Sequence, residues 1–248
     1  MDERGAESIS AVVTGGSNGI GAAVVRRLTE GGVRVVVVDL AEPADGVDGV
    51  RYLQGSAGDE EVLGSAVALA QGAADRFTTF VACAGISRPG SSLSYSVPDW
   101  QMLIDVDLTS VFLGARRAAQ GMVGGGSIIA IASVHAHLGF GGRAAYSAAK
   151  AGVIGLARSL AIEWAPLEIR VNTISPGYIA TELVERNIAS GAVSEAELLS
   201  RIPSRRLGTP DEVAEAVWFL ASPQSRYITG VDLLVDGGMA AFGLPLGS

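Results

Sequence analysis

One lysine, one cysteine and two histidines stand in a chain of 248 residues. The lone Cys83 cannot close an internal disulfide, which excludes a disulfide framework and fits a reducing compartment, so the expected location is cytoplasmic. His135 and His137 have no carboxylate or thiol cluster beside them in the sequence, so no metal site is expected. Positive charge is scarce as well: 18 Lys and Arg face 26 Asp and Glu, for a net charge of −8. With no basic patch, neither a nucleic acid nor an anionic membrane surface is an expected partner. Every apolar run is shorter than the ~20 residues a membrane helix requires. The polar opening MDERGAES has no apolar core of a secretory signal. Proline is sparse at 9, and no Gly/Ser or Ser/Pro tract or internal repeat divides the chain. A single domain over 1–248 is the expectation.

Glycine, by contrast, is abundant at 33 residues and has no collagen-like period, which points to tight turns and close backbone approach. Short β-branched runs predict strands at 9–13, 33–39, 51–55, 78–84, 126–133, 169–174 and 231–236. Helical patterns lie between them at about 19–31, 59–74, 98–120, 146–164 and 210–221. The strands are apolar on both faces, so the class is α/β: a doubly wound parallel sheet with helices on both sides. Residues 181–205 break the alternation with an amphipathic stretch interrupted by Ser190-Gly191. It reads as two short helices, either a substrate lid or an ordinary surface excursion.

The first strand runs into TGGSNGIG, residues 14–21. Gly15, Gly19 and Gly21, with Ser17, Asn18 and Ile20 between them, suit a turn that brings backbone N–H groups and a helix N-terminus to a pyrophosphate. Asp39 ends the second strand, 18 residues after Gly21, where an acidic side chain accepts from ribose hydroxyls and repels a 2′-phosphate. No Arg or Lys lies in the loop or directly after Asp39, so NAD is the expected cofactor in preference to NADP.

The only lysine, Lys150, follows Tyr146 by four residues, on the same face of a helix. Such pairs also arise by chance on surfaces. A compact ammonium within about 4–6 Å of a phenol stabilises its phenolate, which suits a tyrosine to proton transfer. Ser133, at the end of the fifth strand and 13 residues upstream of Tyr146, can hold a substrate oxygen.

These motifs, with ACAG at 82–85, IRVNTISPGYIAT at 169–181 and the C-terminal RLGTPDEVAEAVWFLAS and ITGVDLLVDGG, resemble the short-chain dehydrogenase/reductase family over nearly the whole chain. The resemblance implies a Rossmann-like sheet of seven strands and reversible hydride transfer between NAD(P) and an alcohol or carbonyl. By the same resemblance Tyr146 is the acid–base, Ser133 the substrate-oxygen partner, and Lys150 the holder of the ribose. Cofactor contacts are implied for Gly15, Ser17, Asn18, Gly19, Ile20, Gly21, Asp39, Ser56, Ala57, Ala84, Gly85, Tyr146, Lys150, Pro176, Gly177, Ile179 and Thr181. Asn172 is implied to support the lysine region, and the protein to assemble as a homotetramer.

Three positions depart from the family pattern. ACAG lacks both asparagines of the usual motif, and Cys83 reads as a small core residue with nothing basic near it in sequence. Ser56 stands where the family has an acid, with Asp59 as the alternative adenine contact. Asp107 stands in VDLTS where the family's fourth catalytic residue is asparagine, which implies an altered pH optimum.

The expected function is oxidation of a secondary alcohol, such as a sugar, polyol or other small hydroxy compound, to its ketone. Ser133, His135 and Tyr146 are the expected substrate contacts. A 3-oxoacyl-thioester reductase and a non-catalytic dinucleotide-binding protein are the alternatives. Apolar residues Val111, Phe112, Ala115, Val153, Leu156 and Leu160 mark either subunit contacts or sheet-facing stripes, and the tail AAFGLPLGS is a candidate to reach a neighbouring subunit.

Overall fold

The computed structural model describes residues 7–189 and 194–241. Its strands are β1 Ile9–Thr14, β2 Arg34–Asp39, β3 Arg51–Gln54, β4 Arg76–Ala82, β5 Gly126–Ile131, β6 Ile169–Pro176 and β7 Asp232–Val235. All pairings are parallel, in the order β3-β2-β1-β4-β5-β6-β7. The chain works outward from β1 to β3, then returns to the other side of β1 with β4. The strand order therefore reverses between β1 and β4, and a crevice opens at their C-terminal ends.

Alternation along each strand sends side chains to two separate cores. Val12, Phe80 and Ile128 pack on one face with α2 (Glu60–Ala73), α4 (Ser110–Gly121) and α5 (Ala144–Trp164). Ala11, Val13 and Val81 pack on the other with α1 (Gly19–Glu30) and α8 (Pro210–Ala221). Both faces of the sheet are covered, which is why the middles of β1 (Ala11–Val13) and β2 (Val35–Val38) are unbroken apolar runs. Val111, Ala115, Val153 and Leu160 belong to the first core, so these members of the two stripes face inward. Phe112 is exposed and Leu156 half-buried.

The helix expected over 98–120 is three pieces: α3 Val97–Ile104, a π-helical turn Asp105–Thr109, and α4. The turn inserts one extra residue into an otherwise continuous helix, which periodicity over so long a stretch does not register. β4 and β5 stop two residues before their expected ends, at Ala82 and Ile131. Beyond those points the chain leaves the sheet and forms the wall of the crevice. The segment after β6 forms α6 Glu182–Ala189 and α7 Glu195–Ser200. Residues 190–193 between them lie outside the described residues, as does the tail from 242 onward.

Candidate active site

The glycine loop fits where only glycine can. Gly15 has φ +70°, and a Cβ there would lie 2.6 Å from the Ala84 backbone. A Cβ on Gly21 would sit 1.9 Å from the Gly15 carbonyl oxygen. The loop is thus pressed between β4 and the first turn of α1. Asn18 is the N-cap of α1 but its side chain makes no capping bond, so the first-turn N–H groups of the helix face the crevice without a side-chain acceptor. Gly21→Ala is expected to weaken dinucleotide binding at least tenfold, measured by titration of the quenched tryptophan fluorescence.

A cavity of about 800 Å³ runs from this loop along the ends of β1, β2 and β4. Gly15, Asn18, Asp39, Ser56, Ala57, Ala84 and Gly85, all among the residues singled out in the sequence, line it; among the described residues no Arg or Lys does. Val106 and Thr109, which flank Asp107 in VDLTS, also line it, and so does Leu113, which no short motif marked. Asp39 accepts hydrogen bonds from the N–H groups of Ser17 (2.9 Å) and Ala41 (3.0 Å). Each oxygen keeps a free lone pair for a further donor. The Ser17 hydroxyl donates to the Ala41 carbonyl, so this residue braces the loop. The Ser56 hydroxyl accepts from the Gly58 N–H, while one Asp59 oxygen caps α2 through Glu61 and Val62. Thr181 arrives from the far side of the sheet, its methyl 3.5 Å from where a Gly19 Cβ would be. The Ile179 side chain is buried in the second core, and Ile20 is half-buried against it. Pro176 ends β6, and Gly177 opens onto a second cavity. The residues present fit a dinucleotide: a glycine cradle, a helix N-terminus without a side-chain cap and a carboxylate side chain line one cavity of about 800 Å³.

α5 carries Tyr146 and, one turn on, Lys150. Lys150 is buried, 4% exposed, and its ammonium donates to the Ile131 carbonyl at 3.0 Å, where β5 ends. The Lys150 nitrogen lies 5.6 Å from the Tyr146 ring centre. On its other side is Asp107, fully buried in the π turn. One Asp107 oxygen accepts from the Ile86 N–H at 2.7 Å; the other lies 3.4 Å from the Lys150 nitrogen, an ion pair longer than a good hydrogen bond. Burial works against the Lys150 charge, but Tyr146 and Asp107 outweigh it and hold the ammonium above the ordinary lysine range. Burial raises the Asp107 carboxyl, opposed by Lys150 and the Ile86 N–H.

Ser133 sits just beyond β5, at the start of a short turn, and its hydroxyl lies 3.2 Å from His135 Nδ1. The His135 ring stacks on Phe140 and meets Tyr146 edge-on at 5.2 Å. Burial, aided by the Arg143 charge, pushes His135 down to about 4, so it is a neutral imidazole at pH 7. Ser133, His135 and Tyr146 line the second cavity, of about 360 Å³, which Val184 of α6 and Leu198 of α7 close from above. Among the described residues the Tyr146 hydroxyl has no hydrogen-bond partner.

Two sequence expectations are corrected. Asn172 does not reach Lys150: its amide donates to the Ile228 carbonyl and accepts from the Val231 N–H, bracing the approach to β7. Cys83 does have a cation nearby, Lys150, brought there by the fold; burial nevertheless pushes the thiol up to about 12. His137, only two residues from His135, leaves the cavity to meet Asp232 at 2.7 Å. Asp232 also accepts from Thr173 and Ser175, tying the loop after β5 to the edge of the sheet. No sequence motif announced that hub.

Residues 15–240 match the family model described as enoyl-(acyl carrier protein) reductase. The chain is 39% identical over 252 residues to the cis-4-hydroxycyclohexanecarboxylate dehydrogenase of Sinomonas cyclohexanicum, covering 97% of this chain and 100% of that one. It is 36% identical to a 2,5-dichloro-2,5-cyclohexadiene-1,4-diol dehydrogenase of Sphingobium indicum, covering 92% and 94%. Among solved structures, a putative 2-deoxy-D-gluconate 3-dehydrogenase from Agrobacterium tumefaciens with bound NADP superposes with a TM-score of 0.87 at 33% identity, covering 95% and 98%.

Proposed function

Because the chain belongs to the short-chain dehydrogenase/reductase family of NAD(P)-dependent oxidoreductases, we propose that it oxidises a cyclic secondary alcohol to the ketone with NAD. The observation that carries this reading is the Tyr146 hydroxyl, which lines the second cavity without a protein partner, beside Ser133 and in front of a buried cation. When bound, the nicotinamide supplies the hydride acceptor. Tyr146 takes the proton of the substrate hydroxyl, and Ser133 holds the oxygen in line with it. Lys150 stays protonated and lowers the cost of the phenolate. His135, neutral and stacked on Phe140, keeps Ser133 oriented without adding a second positive charge at the carbinol. Val184 and Leu198 place α6 and α7 over the cavity as a lid that keeps water from the reacting carbon.

NAD is preferred because Asp39 lines a cavity that, among the described residues, offers no Arg or Lys to a 2′-phosphate. The Agrobacterium protein, by comparison, was solved with NADP. The ring in the names of two relatives supports a cyclic alcohol. Among the described residues no helix is long and apolar enough to cross a membrane. We place the enzyme in the cytoplasm, as a homotetramer joined through outward residues of α4 and α5 such as Phe112 and Ile162.

The test is the rate of NADH formation with a panel of cyclohexanols and cyclohexanediols, repeated with NADP. Oxidation with NAD at kcat/KM about a hundredfold above NADP is expected, from the repulsion of a 2′-phosphate by Asp39. NADPH-dependent reduction of an acetoacetyl thioester, with no oxidation of any alcohol, would instead favour the alternative reading as a 3-oxoacyl-thioester reductase, the activity named for other relatives of the chain.

A further inference from the structure

Among the described residues, the lining of the second cavity carries one formal charge, and it is positive: it includes Arg143 but no aspartate or glutamate, and His135 is neutral at pH 7. Arg143 is the residue before the first turn of α5, three positions ahead of Tyr146. That spacing puts their Cβ atoms roughly 5–6 Å apart along one edge of the helix. The charge of Arg143 reaches both His135 and Tyr178, two other residues of the cavity wall. Arg143 thus stands in the wall of the cavity proposed to take the alcohol, beside Ser87, to which its guanidinium donates.

Arg143 is also poorly matched. Half-buried arginines elsewhere have partners that answer their charge or their donors. Arg27, Arg76 and Arg116 pair with Glu215, Glu7 and Glu60. Arg170 donates to the Ile228 and Leu220 carbonyls. Among the described residues Arg143 donates only to the Ser87 hydroxyl and makes no ion pair. A guanidinium has five donors in a planar fork, so most of them remain for a ligand. The chain as a whole is strongly acidic, with a net charge of −8, so an unopposed cation in this cavity is the local feature that would admit an anion.

We propose that the substrate is a hydroxy acid, with Arg143 binding its carboxylate through a bidentate pair while Ser133 and Tyr146 hold the carbinol oxygen at the other end. This rests on reading the cavity as the substrate site. The chemistry is unchanged and balanced: the carbinol carbon loses hydride to NAD, the hydroxyl loses its proton to Tyr146, and an oxo acid leaves with the carboxylate intact. Arg143 touches neither the reacting carbon nor the proton, so it sets which alcohol is accepted.

The experiment compares matched pairs that differ only in charge: cis-4-hydroxycyclohexanecarboxylate and 3-hydroxybutyrate, each against its methyl ester, with neutral cyclohexanediols as a reference. Wild-type enzyme is expected to favour at least one acid over its ester by about a hundredfold in kcat/KM, the loss expected when a built ion pair goes unmade. In Arg143→Gln that ratio falls to within about threefold of one, chiefly through KM of the acid, and Arg143→Lys restores part of it. Equal use of acid and ester by the wild type overturns the proposal. So does a ratio that survives Arg143→Gln. Oxidation of the diols with no turnover of either acid removes the hydroxy-acid assignment and leaves the dehydrogenase reading standing. No oxidation of any alcohol removes both.

Discussion

Tyr146→Phe is expected to lower kcat by about a thousandfold, within the range for loss of a positioned acid–base group. The fold should not notice. The ring keeps its packing against Leu103, Ala145 and Ala149, and against the edge of His135. The hydroxyl that is removed bonds to nothing else among the described residues, so no buried partner is orphaned. Thermal unfolding should stay within a few degrees of wild type, and NAD should still bind, because the glycine loop and Asp39 lie along a different cavity. The informative measurement is therefore a pair: steady-state turnover beside NAD affinity. Retained oxidation with the phenylalanine in place would sink the proposed chemistry while leaving the fold and the cofactor site as described.

Lys150→Met is expected to be the most damaging substitution for stability and nearly as damaging for turnover. Methionine fills the same buried path, but it leaves Asp107 as an uncompensated carboxylate in the interior. Breaking one side of such a pair costs about 3–5 kcal/mol. The Ile131 carbonyl loses its donor as well. Asp107→Asn added to Lys150→Met should recover part of that loss, since an amide still presents an oxygen to the Ile86 N–H without a charge to bury. Turnover should not recover, because the cation behind Tyr146 is gone.

The pH dependence follows from the two shifts. Lys150 is raised in the folded state, so its contribution is fully present below the unfolded lysine value of ~10.4 and is lost as pH rises through the folded value. Asp107 is raised too, so its folded form holds a proton more firmly than the unfolded chain does. In Lys150→Met that tendency is stronger, and acid relieves it. The stability gap between wild type and variant should thus be widest near neutrality and narrow at both acid and strongly alkaline pH. Urea midpoints across that range measure it. A gap that is flat with pH would mean the two groups are not coupled. For the intact enzyme, Asp107→Asn alone should shift the pH–rate profile, since it removes the anion that helps keep Lys150 charged.

Much was legible in the chain before any coordinates. Seven strands, the glycine loop, the strand-end Asp39 and the trio of Ser133, Tyr146 and Lys150 were read from local patterns, because each depends on near neighbours in sequence. A strand buried on both faces must be apolar throughout, a helix N-terminus meeting phosphate must begin with glycines, and side chains four apart on a helix share a face. The two short helices after β6 were legible for the same reason, from an amphipathic period broken at Ser190-Gly191.

Contacts between distant segments were decided only by tertiary structure. The π turn that aims Asp107 at Lys150, the approach of Lys150 to Cys83, the turning of Asn172 toward Ile228 and the Asp232 hub that collects His137 all join residues far apart in the chain. So does the charge of the second cavity. Arg143 reads as one more arginine in a glycine-rich loop, and only the fold places it in a cavity wall that, among the described residues, holds no carboxylate. Local chemistry in the sequence sets what each element is, since periodicity and sterics act over a few residues. What a buried charge faces depends on which strands and helices close around it, and that is a property of the assembled sheet.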